Sequence, residues 1–157
     1  MALLADPDRP PAGERSKLVT RNLWTLALAS GATALLAALS FVATPVKFLA
    51  DGVPLAQLLA VGRVTFRASL VAELCLLLPL LVLARDRTRW SVVGAGALLA
   101  VQWLGLMPAL DARTMMRIAG DDPGPSSLHL LWVLADGARV ALYAAAAVLA
   151  GRAVRRR

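Results

Sequence analysis

Five residues in the apolar parts of this sequence are of types that do chemistry: Glu73, Gln102, His129, Asp136 and Arg139. Carboxylates, an amide, an imidazole and a guanidinium can relay a proton, hold a small polar ligand or, with enough donors, grip a metal ion. His129, Asp136, Arg139 and Tyr143 follow one another at intervals of seven, three and four residues. That spacing puts them on a single face of a helix, and Trp132 falls beside them. The opposite side of the segment is almost wholly Leu, Val and Ala, so the polar stripe is expected to face inward.

Charge counting constrains the group. It contains two carboxylates, Glu73 and Asp136, and one certain cation, Arg139, which leaves one carboxylate in excess. Either that carboxyl carries a proton, because burial disfavours its charged form, or it is met from one end by Arg63, Arg67 or protonated His129. The first arrangement is a proton-responsive site; the second is a structural salt-bridge network. Asp136 and Arg139 can also pair within one helix, and Glu73 would then clamp its own helix to theirs. A purely structural layer is the leading reading, and a layer that also binds or relays something is the second. Arg63, Arg67, Asp111 and Arg113 are expected to support it from the outer face.

These residues need elements that hold them at one depth. The chain is 59% hydrophobic and 17% charged, with a mean hydropathy of +0.67, against about 45–50% apolar and about 25% charged residues in a soluble domain. The excess apolar surface needs lipid around it. Four apolar stretches stand out; three are long enough to cross about 30 Å of hydrocarbon at about 1.5 Å per residue, and the second is shorter in its apolar part. They run from Asn22 to Thr44, Ala68 to Ala84, Trp90 to Leu110 and Leu128 to Gly151. Pro45 is expected to end the first, and the second extends back through the amphipathic Pro54 to Arg67. The fold expected is an all-α bundle of four transmembrane helices. Residues 1–21 read as a disordered tail and 152–157 as a basic one.

Net charge is +7 and the pI about 11.2, yet the basic residues lie between apolar segments and are not interleaved with aromatics. They read as topology signals, and no nucleic-acid partner is expected. Eleven Lys and Arg flank one side and five the other, which predicts both termini inside. Trp24 and Trp90 open spans on the basic side, as an interfacial belt does. The lipid bilayer is the expected partner, with a second copy or another membrane protein as a further candidate. The Ala-, Leu- and Arg-rich composition hints at a bacterial plasma membrane.

The segment from Asp111 to Ser127 reads as a short helix closed by Gly120, then a turn, with Ser126 or Ser127 capping the last span. It either fixes where that span starts or forms a polar lid over the buried layer. Small residues at four-residue spacing (Ser30, Ala34 and Ala38; Gly96 and Ala100; Gly137, Ala141 and Ala145) are expected to let helices pack closely. Cys75 reads as a small buried hydrophobe. No glycine-rich phosphate loop, CxxC or GxSxG occurs, so no catalytic residue, resident cofactor or dedicated metal site is expected. With a single histidine, only a mixed Glu73–His129–Asp136 metal site is conceivable.

The stretch from Pro108 to Ala144, PALDARTMMRIAGDDPGPSSLHLLWVLADGARVALYA, resembles small bacterial four-helix membrane proteins of unknown function. Over about residues 25 to 148 the chain looks like the transmembrane protein 205-like superfamily. The matching elements are SFVATPVKF, where the first span closes near a proline; GRVTFRASLVAE, with Arg and Phe before a carboxylate; and SSLH, opening the last span. Where that pattern leads one to expect an acidic residue and then a lysine late in the last span, this chain has Asp136 and Arg139. The resemblance implies the four-helix fold and no settled activity. The leading functional expectation is a multi-pass plasma-membrane protein whose polar layer is structural, with binding of a small polar ligand or a proton as its further candidate role. Two alternatives stay open: a subunit of a small transporter or channel, and a membrane redox or metal-binding enzyme.

Overall fold

The computed structural model describes residues 11–156; Arg9 and Arg157, two of the eleven basic residues expected on the inner side, lie outside the described residues. Four helical runs are long and apolar enough to cross a membrane: Gly13–Leu49, Leu55–Leu83, Asp86–Ala119 and Leu128–Arg155. Each packs against two others, so the four form a ring in chain order that closes where the fourth meets the first. That closing contact is the most extensive in the molecule. It is built on small side chains, with Ala29, Ala32 and Leu36 in one cluster with Ala146 and Ala147 of the fourth helix. Lipid chains are as apolar as leucine, so such helices associate through close packing more than through removal of apolar surface from water.

The outer surface of the bundle is apolar. Val64, Val71, Leu78, Val82, Leu104, Leu130 and Leu134 all face outward, and Leu104 is 79% exposed. A continuous apolar exterior of this kind suits hydrocarbon and would be a liability in water.

Several expectations from the sequence are corrected. Residues 12–21 are helical, since the first helix already begins at Ala12. Pro45 does not end it. The helix widens into a π turn at Ala38–Ala43 and continues through Thr44–Val46 to Leu49. A proline interrupts an α-helix because its ring meets the carbonyl four residues back and it has no N–H to donate. A π turn just before the proline re-spaces those carbonyls, and the Thr44 hydroxyl donates to the Leu39 carbonyl at 2.7 Å. The third helix repeats the device, with a π turn at Gln102–Leu106 ahead of Pro108. It then continues to Ala119, so Asp111, Arg113 and Arg117 extend this span and do not form a separate short helix.

Gly120 ends that run in the left-handed region, φ +95°. Ser127 occupies the cap position of the fourth helix, and the Ser126 hydroxyl accepts from the Leu128 N–H at 3.2 Å. Cys75 is exposed on the outer face of the second helix, not buried. Most of the small-residue stripes turn outward too: Ser30, Ala34, Ala38, Ala100, Ala141 and Ala145 are exposed, while Gly96 faces Leu77 and Gly137 faces Phe41.

Candidate functional site: a buried polar core and the cavity beside it

The second helix carries Glu73, the third Gln102, and the fourth Trp132, Asp136, Arg139 and Tyr143, all of them buried. On the fourth helix these four lie at steps of four, three and four residues, so one face turns wholly inward. Gln102 is the first residue of the π turn in the third helix. The wider turn sets the direction in which its amide leaves the helix, and that direction is into the ring.

Arg139 is the hub. Its Nη1 donates to Glu73 Oε2 and its Nη2 to Asp136 Oδ1, the latter at 2.5 Å. Gln102 Nε2 donates to the same Asp136 oxygen at 2.8 Å and to the Trp132 carbonyl at 3.2 Å. The Tyr143 hydroxyl donates to Glu73 Oε1 at 3.0 Å. Three helices are thereby tied by one guanidinium, two carboxylates, an amide and a phenol. Burial of charge is tolerable only with this kind of pairing and hydrogen bonding. Among the described residues, Gln102 Oε1, Trp132 Nε1 and Arg139 Nε are buried and find no partner.

The structure therefore brings together Glu73, Gln102, Asp136 and Arg139, and adds Tyr143, which the sequence placed on the right face without assigning it a partner. It does not bring in the remaining residues. His129 is exposed at the start of the fourth helix. Among the described residues no three of His, Cys, Asp and Glu gather closely enough to hold a metal ion, so a mixed Glu73–His129–Asp136 site is not formed. Arg63 and Arg67 are not free to balance the surplus carboxylate, because both are engaged by Asp111. Arg63 donates through Nε at 2.5 Å and Nη2 at 2.8 Å, and Arg67 through Nη2 at 3.0 Å. Arg113 Nη2 donates to the Gly124 carbonyl at 2.6 Å and so anchors the turn before the fourth helix. Arg63, Arg67 and Asp111 thus form a second polar cluster near the helix ends, separate from the core.

Beside the core, Trp132 also lines a cavity of about 120 Å³ to which all four helices contribute. Its wall includes Lys47, Phe48, Gly62, Arg63, Phe66, Asp111 and His129. Lys47 and Gly62 were not singled out in the sequence. A larger cavity of about 690 Å³ lies where Arg21, Arg85, Arg87, Arg152 and Arg156 converge. Comparison of the chain with family models, curated proteins and solved structures gave no match.

Proposed function

We propose that this chain is an integral plasma-membrane protein with both termini cytoplasmic, and that its buried core fastens three spans together and holds one proton. The observation that carries this reading is the charge count around Arg139. A single guanidinium faces both Glu73 and Asp136, and no second cation pairs with either carboxylate among the described residues. An uncompensated charge at that depth is costly, and a proton on one carboxyl removes it without rearranging any helix. Glu73 and Asp136 share the site, so the proton belongs to the pair.

The orientation rests on the basic residues. Arg21, Arg85, Arg87, Arg152 and Arg156 line one cavity and so lie together at one end. Trp24 and Trp90 begin spans at that same end and are exposed, as belt residues are. The resemblance to the transmembrane protein 205-like superfamily fits the same four-span plan and adds no activity to it.

The test is infrared difference spectroscopy of the purified protein at neutral pH. The wild type should show the carbonyl band of a protonated carboxyl, and the band should disappear in Glu73→Gln and in Asp136→Asn alike, since either change leaves one carboxylate to one guanidinium. A wild type without that band, or a band that survives in either variant, defeats the proton assignment.

A further inference from the structure

Lys47 is half-buried near the end of the first helix, and among the described residues no carboxylate pairs with it. Its ammonium lies 5.0 Å from the centre of the Phe48 ring and 5.6 Å from that of Phe66. It reaches this position because the facing residue of the second helix is Gly62. A Cβ at Gly62 would collide with Lys47 Nζ. The side chain is thus laid against a helix backbone, into the cavity of about 120 Å³ whose wall also includes Trp132. Trp132 is 4% exposed.

The charged groups facing this space can be counted. Asp111 is the one carboxylate in the wall, and it is held by Arg63 and Arg67. Arg63 is in turn occupied by Asp111 through two hydrogen bonds. His129 lines the rim. Lys47 is left as the cation with no anion, in a wall otherwise made largely of Phe48, Leu59, Phe66, Met107, Leu110 and Trp132. A free ammonium among aromatic and aliphatic side chains matches a ligand with one negative charge and an apolar body. The volume is that of about four water molecules in the liquid, enough for a head group and the first carbons of a chain.

We propose that this cavity binds a monoanionic amphiphile, a carboxylate or phosphate head on an alkyl chain, with the head on Lys47 and the chain against the aromatic wall. Lys47 supplies the charge, and Gly62 makes the room. The same chemistry is carried by a free fatty acid and by an anionic phospholipid of the bilayer.

The experiment uses the full chain in phosphatidylcholine nanodiscs, with empty nanodiscs as the blank, and calorimetric titration with laurate, dodecanol and inorganic phosphate. Laurate should bind, while dodecanol and inorganic phosphate should each bind at least about tenfold more weakly, the worth of one charge-assisted hydrogen bond or of the apolar contact. Lys47→Gln should weaken laurate by about tenfold. Gly62→Ala, whose Cβ meets only the flexible end of the Lys47 side chain, should weaken laurate by less than Lys47→Gln does. Adding phosphatidylglycerol and reading retained lipid by native mass spectrometry separates the sources. Retention by wild type and not by Lys47→Gln identifies a bilayer lipid; laurate binding undisturbed by phosphatidylglycerol identifies a free fatty acid. Dodecanol binding as tightly as laurate overturns the proposal with no variant needed. So does unchanged laurate binding in a folded Lys47→Gln protein, or wild type that binds laurate no better than empty nanodiscs and retains no phosphatidylglycerol.

Discussion

Replacing Arg139 by leucine should be among the most destabilising single changes this bundle can suffer, and the geometry says why. The guanidinium is 1% exposed and donates to carboxylates on two helices, Glu73 of the second and Asp136 of its own. Removing one partner of a buried pair typically costs about 3–5 kcal/mol, because the other charge is left behind. Here one of the two carboxyls holds the shared proton, so one charge is left behind and the loss is about 3–5 kcal/mol. That compares with a total stability of about 5–15 kcal/mol for an ordinary domain. The remaining donors, Tyr143 to Glu73 and Gln102 to Asp136, are neutral and offset only part of it.

If stranded charge is the cause, neutralising both carboxylates on the Arg139→Leu background should restore stability. Glu73→Gln and Asp136→Asn keep the acceptor oxygens that Tyr143 and Gln102 use while removing the charge. The triple variant should regain about 2–4 kcal/mol over Arg139→Leu alone. The assay is equilibrium unfolding in mixed micelles followed by helical circular dichroism. Arg139→Lys should fall between wild type and Arg139→Leu, because a compact ammonium cannot span two carboxylates as a planar fork does. A triple variant no more stable than Arg139→Leu would refute the reasoning, since the loss would then come from packing and not from charge.

Two further outcomes follow from other parts of the molecule. Tyr143→Phe should cost about 1–3 kcal/mol in the same assay, because Glu73 Oε1 loses its donor in a buried setting; a change within error would mean that the oxygen is otherwise satisfied. For orientation, reporter fusions after Arg87 and after Arg157 should report the cytoplasm and one after Asp122 the outside, and a mixed pattern would overturn the arrangement with both termini inside.

The sequence by itself determined the number of long apolar helices and which side of the fourth turns inward. Both are local properties: hydropathy is a sum over neighbours, and the 3.6-residue period places Trp132, Asp136, Arg139 and Tyr143 on one face before any partner is known. The inventory of the buried core, two carboxylates to one guanidinium with a glutamine, was also legible, since each residue interrupts an apolar run.

Only the tertiary structure decided the pairings. Arg139 meets Glu73 across 66 residues of chain, and Tyr143 meets it across 70. Asp111 engages Arg63 and Arg67, which removes them as counter-charges for the core. The rotation of each helix about its axis relative to the others is set by side chains remote in sequence, and no local period encodes it. The same holds for Lys47, whose place over Gly62 depends on a helix that a π turn carries past Pro45 and on a glycine in the next helix. It also holds for the small-residue stripes. Their spacing suits close packing, yet most of them face outward, and the fourth helix turns Ala146 and Ala147 inward on the side that carries Arg139 and Tyr143.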